Sequence, residues 1–242
     1  GEEVSLEFLD GAGQSIRKLS NQGEPDEDGP ARDEGRDREG RDASKVPAKA
    51  GLNRFAWNLR HADASRFKGM ILWAGGVRGP VAVPGTYHVR LTVGGQSQPQ
   101  SFELRKDPRL ATTQADFAKQ LGLLLEIRDK LSATHDAVKR IREVREQLKA
   151  AVERAKLATP QEKAIAVAGD ALGKMLTAIE EALYQTKNQS DQDPLNFPIR
   201  LNNKLASLAG AVGSADAAPT AQAEAVYADL TGKIADQLAA LK

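Results

Sequence analysis

His61, His88 and His135, the carboxylates Glu180 with Glu181 and Asp191 with Asp193, the glycine doublets Gly75-Gly76 and Gly94-Gly95, and the tryptophans Trp57 and Trp73 are the groups whose types and spacing could do chemistry in this chain. A histidine metal site wants two imidazoles two apart on a strand or four apart on a helix, often with a carboxylate. The three histidines stand at a strand end, on a strand and on a helix, so no metal site is predicted. His135 is expected to pack beside a helical seam, and His88 to face solvent. Paired carboxylates could hydrolyse glycosides. Glu180 and Glu181 lie beside an apolar stripe and Asp191 and Asp193 in a polar loop, with no aromatic platform beside either, so both pairs read as solvated. No G-x-S-x-G occurs, and the glycine doublets lack the strand before and helix after that a phosphate loop needs, so they read as turns. No catalytic residue and no cofactor is predicted.

Binding is the remaining chemistry. Trp57 alternates with Phe55 and Leu59, which predicts a core residue. Trp73 belongs to "MILW", an apolar run inside an irregular stretch, which must be buried against the first half, the helices or an external partner. Trp73, with Arg60, His61 and Arg66 in the same neighbourhood, is therefore the predicted binding locus, for a carbohydrate or a peptide.

The elements that would position these groups follow from periodicity. "VSLEFLDGAGQSIRKL" alternates around Asp10 to Gly13 and predicts a hairpin. Residues 21–49 hold no large hydrophobe between Asn21 and Ala43 and predict a mobile charged loop; its acids are mixed with arginines and lack the ordered spacing of a calcium loop. "GLNRFAWNLR" predicts a strand. A long excursion follows, dense in turn formers, and then a hairpin around Gly94-Gly95 whose first strand sets Tyr87, Val89, Leu91 and Val93 on one face. About five to seven short strands in residues 1–107 predict an immunoglobulin-like β-sandwich.

From residue 108 the period becomes helical. Leu124, Ile127, Leu131, Thr134, Val138, Ile141, Arg145, Leu148 and Val152 step by three and four, predicting one helix of about 40 residues capped by Thr112 or Thr113. Pro160, with Thr159 as cap, opens a second helix with the stripe Ile165, Ala168, Leu172, Met175, Leu176, Ile179 and Leu183. A third carries Ile199 to Val212 and a fourth Val226 to Leu241. Residues 108–242 thus predict an antiparallel four-helix bundle, and the whole an α+β chain of two domains.

Composition bounds the function further. With 242 residues, 40% hydrophobic, there is material for a core in each half, and a net charge of +1 gives no electrostatic reason to expect nucleic acid. No run approaches the roughly 18–20 apolar residues of a bilayer span, so no membrane insertion is predicted. The absence of cysteine excludes disulfides and thiolate chemistry. The opening Gly1-Glu2-Glu3-Val4 lacks an initiator methionine and reads as a cut inside a longer protein, with any export signal upstream.

Two sets of residues carry a resemblance. "GLNRFAWNLR", "GPVAVPGTYHVRLTVGGQSQPQSFELRKDPR" and the helix opening "TQADFAKQLGLLLEIRDKL" resemble the C-terminal region of large exported bacterial proteins whose front part is a β-propeller of the sortilin-like or Asp-box "glycosyl hydrolase" type. The hairpin Asp10, Gly13, Ile16, Arg17, the Gly51, Asn53, Trp57 strand and the Pro84, Gly85, Thr86, Tyr87 strand are similar to the immunoglobulin-like module of flagellar-hook capping proteins. The resemblance implies a non-catalytic accessory tail, extracellular or periplasmic, with the upstream propeller as its partner. The Asp-box pattern that gives the hydrolase label occurs nowhere in these residues.

Overall fold

The computed structural model describes residues 2–23, 45–156 and 160–242. Most of the predicted charged loop and Thr159 lie outside them. The order of elements is β1 (Val4–Leu9), β2 (Ser15–Ser20), β3 (Gly85–Val93), β4 (Gln96–Leu104), α1 (Gln114–Lys156), α2 (Pro160–Leu183), α3 (Leu201–Val212) and α4 (Ala221–Ala239), with a 3-10 turn at Asp193–Leu195. The chain divides into two compact units, each assembled from separated segments. One holds Gly1–Ala64, Arg78–Glu126 and Gly213–Pro219, and the other Ser65–Val77, Ile127–Val212 and Thr220–Lys242.

In the first unit the described strands form one antiparallel sheet in the order β2-β1-β3-β4. Both predicted hairpins are present. Asp10 builds the first turn by accepting from Ala12 N at 2.9 Å and Gln14 N at 2.8 Å. Gly94 and Gly95 form the second with φ of 54° and 81°, the left-handed pair a two-residue hairpin needs. Pro99 is accommodated because β4 is an edge strand.

The expected β-sandwich is not formed, since there is a single sheet. Residues 52–59, expected as a strand, carry no ladder; only Arg60 pairs, in an isolated bridge to Val81. The physical cause is local competition for the backbone. Asn53 bonds Lys49 N and O and Gly51 O, Asn58 Oδ1 takes Arg60 N at 3.1 Å, and Trp57 Nε1 donates to Arg60 O at 3.1 Å. Alternation fails with it: Leu52 is fully exposed, and Leu59 takes a φ of 59°. This irregular stretch still covers the sheet. Trp57 stacks on Phe8 with ring centroids 4.3 Å apart and meets Tyr87 and Phe102 edge-on, over a core of Phe8, Ile16, Leu19, Val46, Ala82 and Tyr87. Tyr87 OH donates to Val83 O at 2.7 Å. The cover extends only part-way, so Leu91 and Val93, on the same face as Tyr87, are exposed.

The four helices predicted for the second half are present. Thr113 caps α1 reciprocally with Asp116: Asp116 N donates to Thr113 Oγ1 at 3.2 Å, and Thr113 N to Asp116 Oδ2 at 3.0 Å. In the second unit Ile127, Leu131, Thr134, Val138, Ile141 and Val152 of the predicted seam are buried. α1 and α2 run antiparallel, since Arg142 meets Glu180, Arg145 meets Thr177, and the Gly169 backbone lies against Val152 and Leu148. α3 packs chiefly on α4, and both touch α2.

The stripe predicted for α2 is buried only in its C-terminal half, at Leu176, Ile179 and Leu183. Ile165 and Met175 are 61% and 46% exposed, and the buried positions are Ala166, Leu176, Ile179, Glu180 and Leu183. In the N-terminal half the buried side lies about one residue further on, roughly 100° round the helix, at Ala166 and Gly169. Small residues allow it: a Cβ on Gly169 would stand 2.5 Å from Val152 Cγ2, so only glycine permits this approach. The N-terminal half of α2 therefore leaves an apolar flank uncovered.

Phe8 is 5% exposed and stacked against Trp57, so Phe8→Ala should lower unfolding free energy by about 3 kcal/mol, read by urea denaturation. A loss under about 1 kcal/mol would mean that the irregular stretch does not close the core.

Candidate functional site

A polar cluster of the helical unit surrounds the segment 65–77, the irregular run that contains Trp73. The segment is a strap laid on the helices, and its apolar residues anchor it. Phe67, Met70 and Val77 are buried, with Phe67 edge-on to Tyr184 at 4.8 Å and to the His135 ring at 5.4 Å.

Polar side chains from the helices then bind the strap's backbone, residue by residue. Ser65 N donates to Ser132 Oγ at 3.1 Å, and Ser65 Oγ lies 2.9 Å from Asp136 Oδ1. His135 Nδ1 sits 2.6 Å from Ser65 O, and Arg142 Nη1 donates to Lys68 O at 3.2 Å. Tyr184 OH donates to Gly69 O at 3.2 Å and accepts from Ile71 N at 3.1 Å. Asn203 clamps Trp73 from both sides of its peptide unit, accepting from Trp73 N at 2.7 Å and donating to Trp73 O at 2.6 Å. The predicted turn glycine Gly75 serves a close approach, since a Cβ there would come within 2.8 Å of Ser207 N.

Beneath the strap lies a buried charge. Glu180, expected to be solvated, is 1% exposed. Arg142 Nε donates to its Oε1 at 2.7 Å, and Arg145 Nη2 donates to its Oε2. A carboxylate this deep is tolerable only when paired, and both its oxygens are. The Arg142 guanidinium also lies over the rings of Phe67, 4.6 Å from the centroid, and Tyr184, at 5.6 Å, a cation–π arrangement. One arginine thus joins α1, α2 and the strap. Burial raises the Tyr184 phenol above its ordinary value, which keeps it a neutral donor.

His135 is fully buried and bonded on both ring nitrogens, with Asn202 Nδ2 3.3 Å from Nε2. A carbonyl only accepts, so Nδ1 carries the proton to Ser65 O, and neutral Nε2 accepts from Asn202. Burial is the main force holding its pKa below the ordinary histidine value; Ser65 O and Asp136 oppose it, and Lys139 and Arg66 reinforce it.

The four residues singled out in the sequence are divided by the structure. Trp73 and Arg66 belong to the helical unit, Arg60 and His61 to the sheet unit. Trp73 is 37% exposed, and Arg66 is half-buried. Arg60 donates to Gly79 O at 2.9 Å, and the buried His61 has its backbone N bonded to Pro80 O at 2.9 Å; both fasten irregular chain around the bridge to Val81. Arg142, Glu180, Tyr184, His135 and Asn203 were missed as a group. Two signals pointed to them: Arg145 occupies a seam position of α1, and Glu180 interrupts an apolar run of α2.

Among the described residues, no group of three or more His, Asp and Glu could hold a metal ion, and no helix is long and apolar enough to cross a membrane. Comparison with protein-family models, with characterised proteins and with solved structures finds no match.

A depressed His135 pKa means that the unfolded chain binds the proton more readily. Its contribution to stability is therefore complete above the unfolded value of about 6.5 and is lost as pH falls from there toward the folded value, by at most about 1.4 kcal/mol per pH unit. Urea denaturation between pH 8 and pH 5 should show this slope in the native chain and a shallower one in His135→Gln. Equal slopes would place the titration elsewhere.

Proposed function

We propose that this chain is a non-catalytic accessory region of a larger exported protein, serving to hold and present an attached β-propeller. The observation that carries this reading is the use to which the strap cluster is put. Both oxygens of Glu180, both ring nitrogens of His135 and both ends of the Asn203 amide are spent on the protein's own backbone and side chains. Groups that elsewhere act as acids, bases or ligands here fasten a segment, and fully satisfied buried polar networks of this kind make a structure rigid. The resemblance of the strand and helix segments to the tails of sortilin-like and Asp-box proteins supports a propeller partner and an extracellular or periplasmic setting. Chromogenic α- and β-glycosides should be turned over by the purified chain no faster than by a heat-inactivated control. Titration of the parent protein's propeller region into the chain should give a saturable complex in analytical ultracentrifugation. Turnover above the control or failure to form the complex overturns the respective half of the reading.

A second reading is favoured by Trp73 itself. Its backbone is clamped by Asn203, the next residue Ala74 is held at a φ of 51°, and the residue is 37% exposed. A strained loop tip presenting an indole is an arrangement that carbohydrate- and peptide-binding surfaces use. In a Trp57→Phe variant the remaining indole emission should be quenched by iodide and should shift with one member of a polysaccharide or peptide panel. Shielding from iodide, or silence toward the whole panel, leaves Trp73 as a structural cover.

A further inference from the structure

The flank that α2 leaves uncovered is apolar without interruption. At about 100° per residue Val167, Ala168, Ala171, Leu172 and Met175, with Ile165 at the rim, share one face about 160° wide, and no polar or charged side chain of residues 163–178 falls within it. All six are exposed, Val167 by 70%. Apolar residues scattered singly on a surface need no explanation. A contiguous patch rimmed by charge marks a contact with another molecule.

The charged rim of this face indicates which molecule. Lys163, Asp170, Lys174 and Glu181 lie in a row along one edge, within about 40° of one another round the helix. All four are exposed, and among the described residues none has an ion-pair partner. Asp170 and Lys174 are four apart on one helix, a spacing that allows an ion pair, yet they do not form one. Their signs alternate along the row, and the row is symmetric about Leu172. Asp170 and Lys174 stand two residues to either side of it, Lys163 and Glu181 nine. A two-fold axis at Leu172 therefore sets Asp170 of one copy against Lys174 of the other, and Lys163 against Glu181. Parallel pairing would set each charge against itself. Edge charges of paired helices fix partner and orientation, and these fit a second copy running antiparallel.

We propose that this face is a self-complementary interface, at which two copies of the chain pair through antiparallel α2 helices centred on Leu172. The small side chains of Ala168 and Ala171 beside the axis let the helices approach closely, and Val167, Leu172 and Met175 give the apolar contact. Such an interface closes at two copies, so it makes a dimer and not a filament. One helix face buries less than the roughly 800 Å² per partner of a standard interface, so the pairing is reversible, with a dissociation constant of about 10–100 µM. It uses no residue of the strap cluster and does not depend on the accessory role proposed above.

The test is sedimentation equilibrium of the whole chain at low salt over about 1–500 µM. The mass is expected to rise from one chain toward two and no further. Ala168→Glu, which puts a charge inside the apolar face, should hold it at one chain. Asp170→Lys and Lys174→Asp should each weaken self-association about tenfold, since like charges then meet across the axis. An equimolar mixture of these two variants should recover the dimer, because each copy carries the charges that the other lacks. Lys163→Asp mixed with Glu181→Lys repeats the comparison if either variant fails to fold. A single-chain mass over the whole range, growth beyond two copies, or no recovery in the mixtures overturns the proposal. A complex that forms only when the parent protein's propeller region is added also overturns it, and assigns the face to that partner.

Discussion

The Glu180 carboxylate, buried between two arginines of α1, is the constraint on which the helical unit is built. A charge removed from water must be paired, and the pairing partners sit one helical turn apart on a neighbouring helix. That requirement sets the rotation of α2 and the register of the α1–α2 hairpin together. The glycine and alanine of the buried side, Gly169 and Ala166, then let α2 close on α1, while the larger side chains Ile165 and Met175 are carried round to the open flank.

The same pair reaches the strap through Arg142. Its guanidinium satisfies Glu180 with one edge, takes the Lys68 carbonyl with another and offers its face to Phe67 and Tyr184. Lysine could not replace it, having neither the planar face nor the forked donors. Around this centre Tyr184, His135 and Asn203 answer the backbone of a segment with no strand or helix of its own. An irregular segment packed on helices must find side-chain partners for its peptide groups, and this one does.

The sheet unit solves a similar problem differently. Its cover is neither a second sheet nor a helix but an extended stretch whose aromatic side chains bury while its peptide groups turn to local asparagines. Trp57 does the work of a facing strand's core residues with one indole, closing on Phe8, Tyr87 and Phe102. The contrast within the protein is between polar groups that are answered, as in the strap, and those that are not, as at Arg200, whose Nε is buried without a hydrogen-bond partner among the described residues.

Much of the local structure was legible in the order of residues. Asp10 with Gly13, and Gly94 with Gly95, announce their hairpins because glycine alone takes those left-handed turns without strain. The seam from Ile127 to Val152 announces α1 because apolar periodicity is a property of a single helix, and Trp57 announces itself as core. What the sequence could not contain is which side of each element would find a partner. Residues 52–59, alternating like a strand, became irregular because no backbone ladder was there to compete with Asn53 and Asn58. The N-terminal half of the apolar stripe on α2 lost its place to Ala166 and Gly169 because the close approach to Val152 leaves room only for small residues. Arg60, His61, Arg66 and Trp73, neighbours in sequence, were parted because the chain between Ala64 and Ser65 passes from one unit to the other. Periodicity and turn chemistry are short-range and survive in one dimension. Burial, ion pairing and the choice of facing surface are decided among residues far apart in the chain, and only the tertiary structure brings these together.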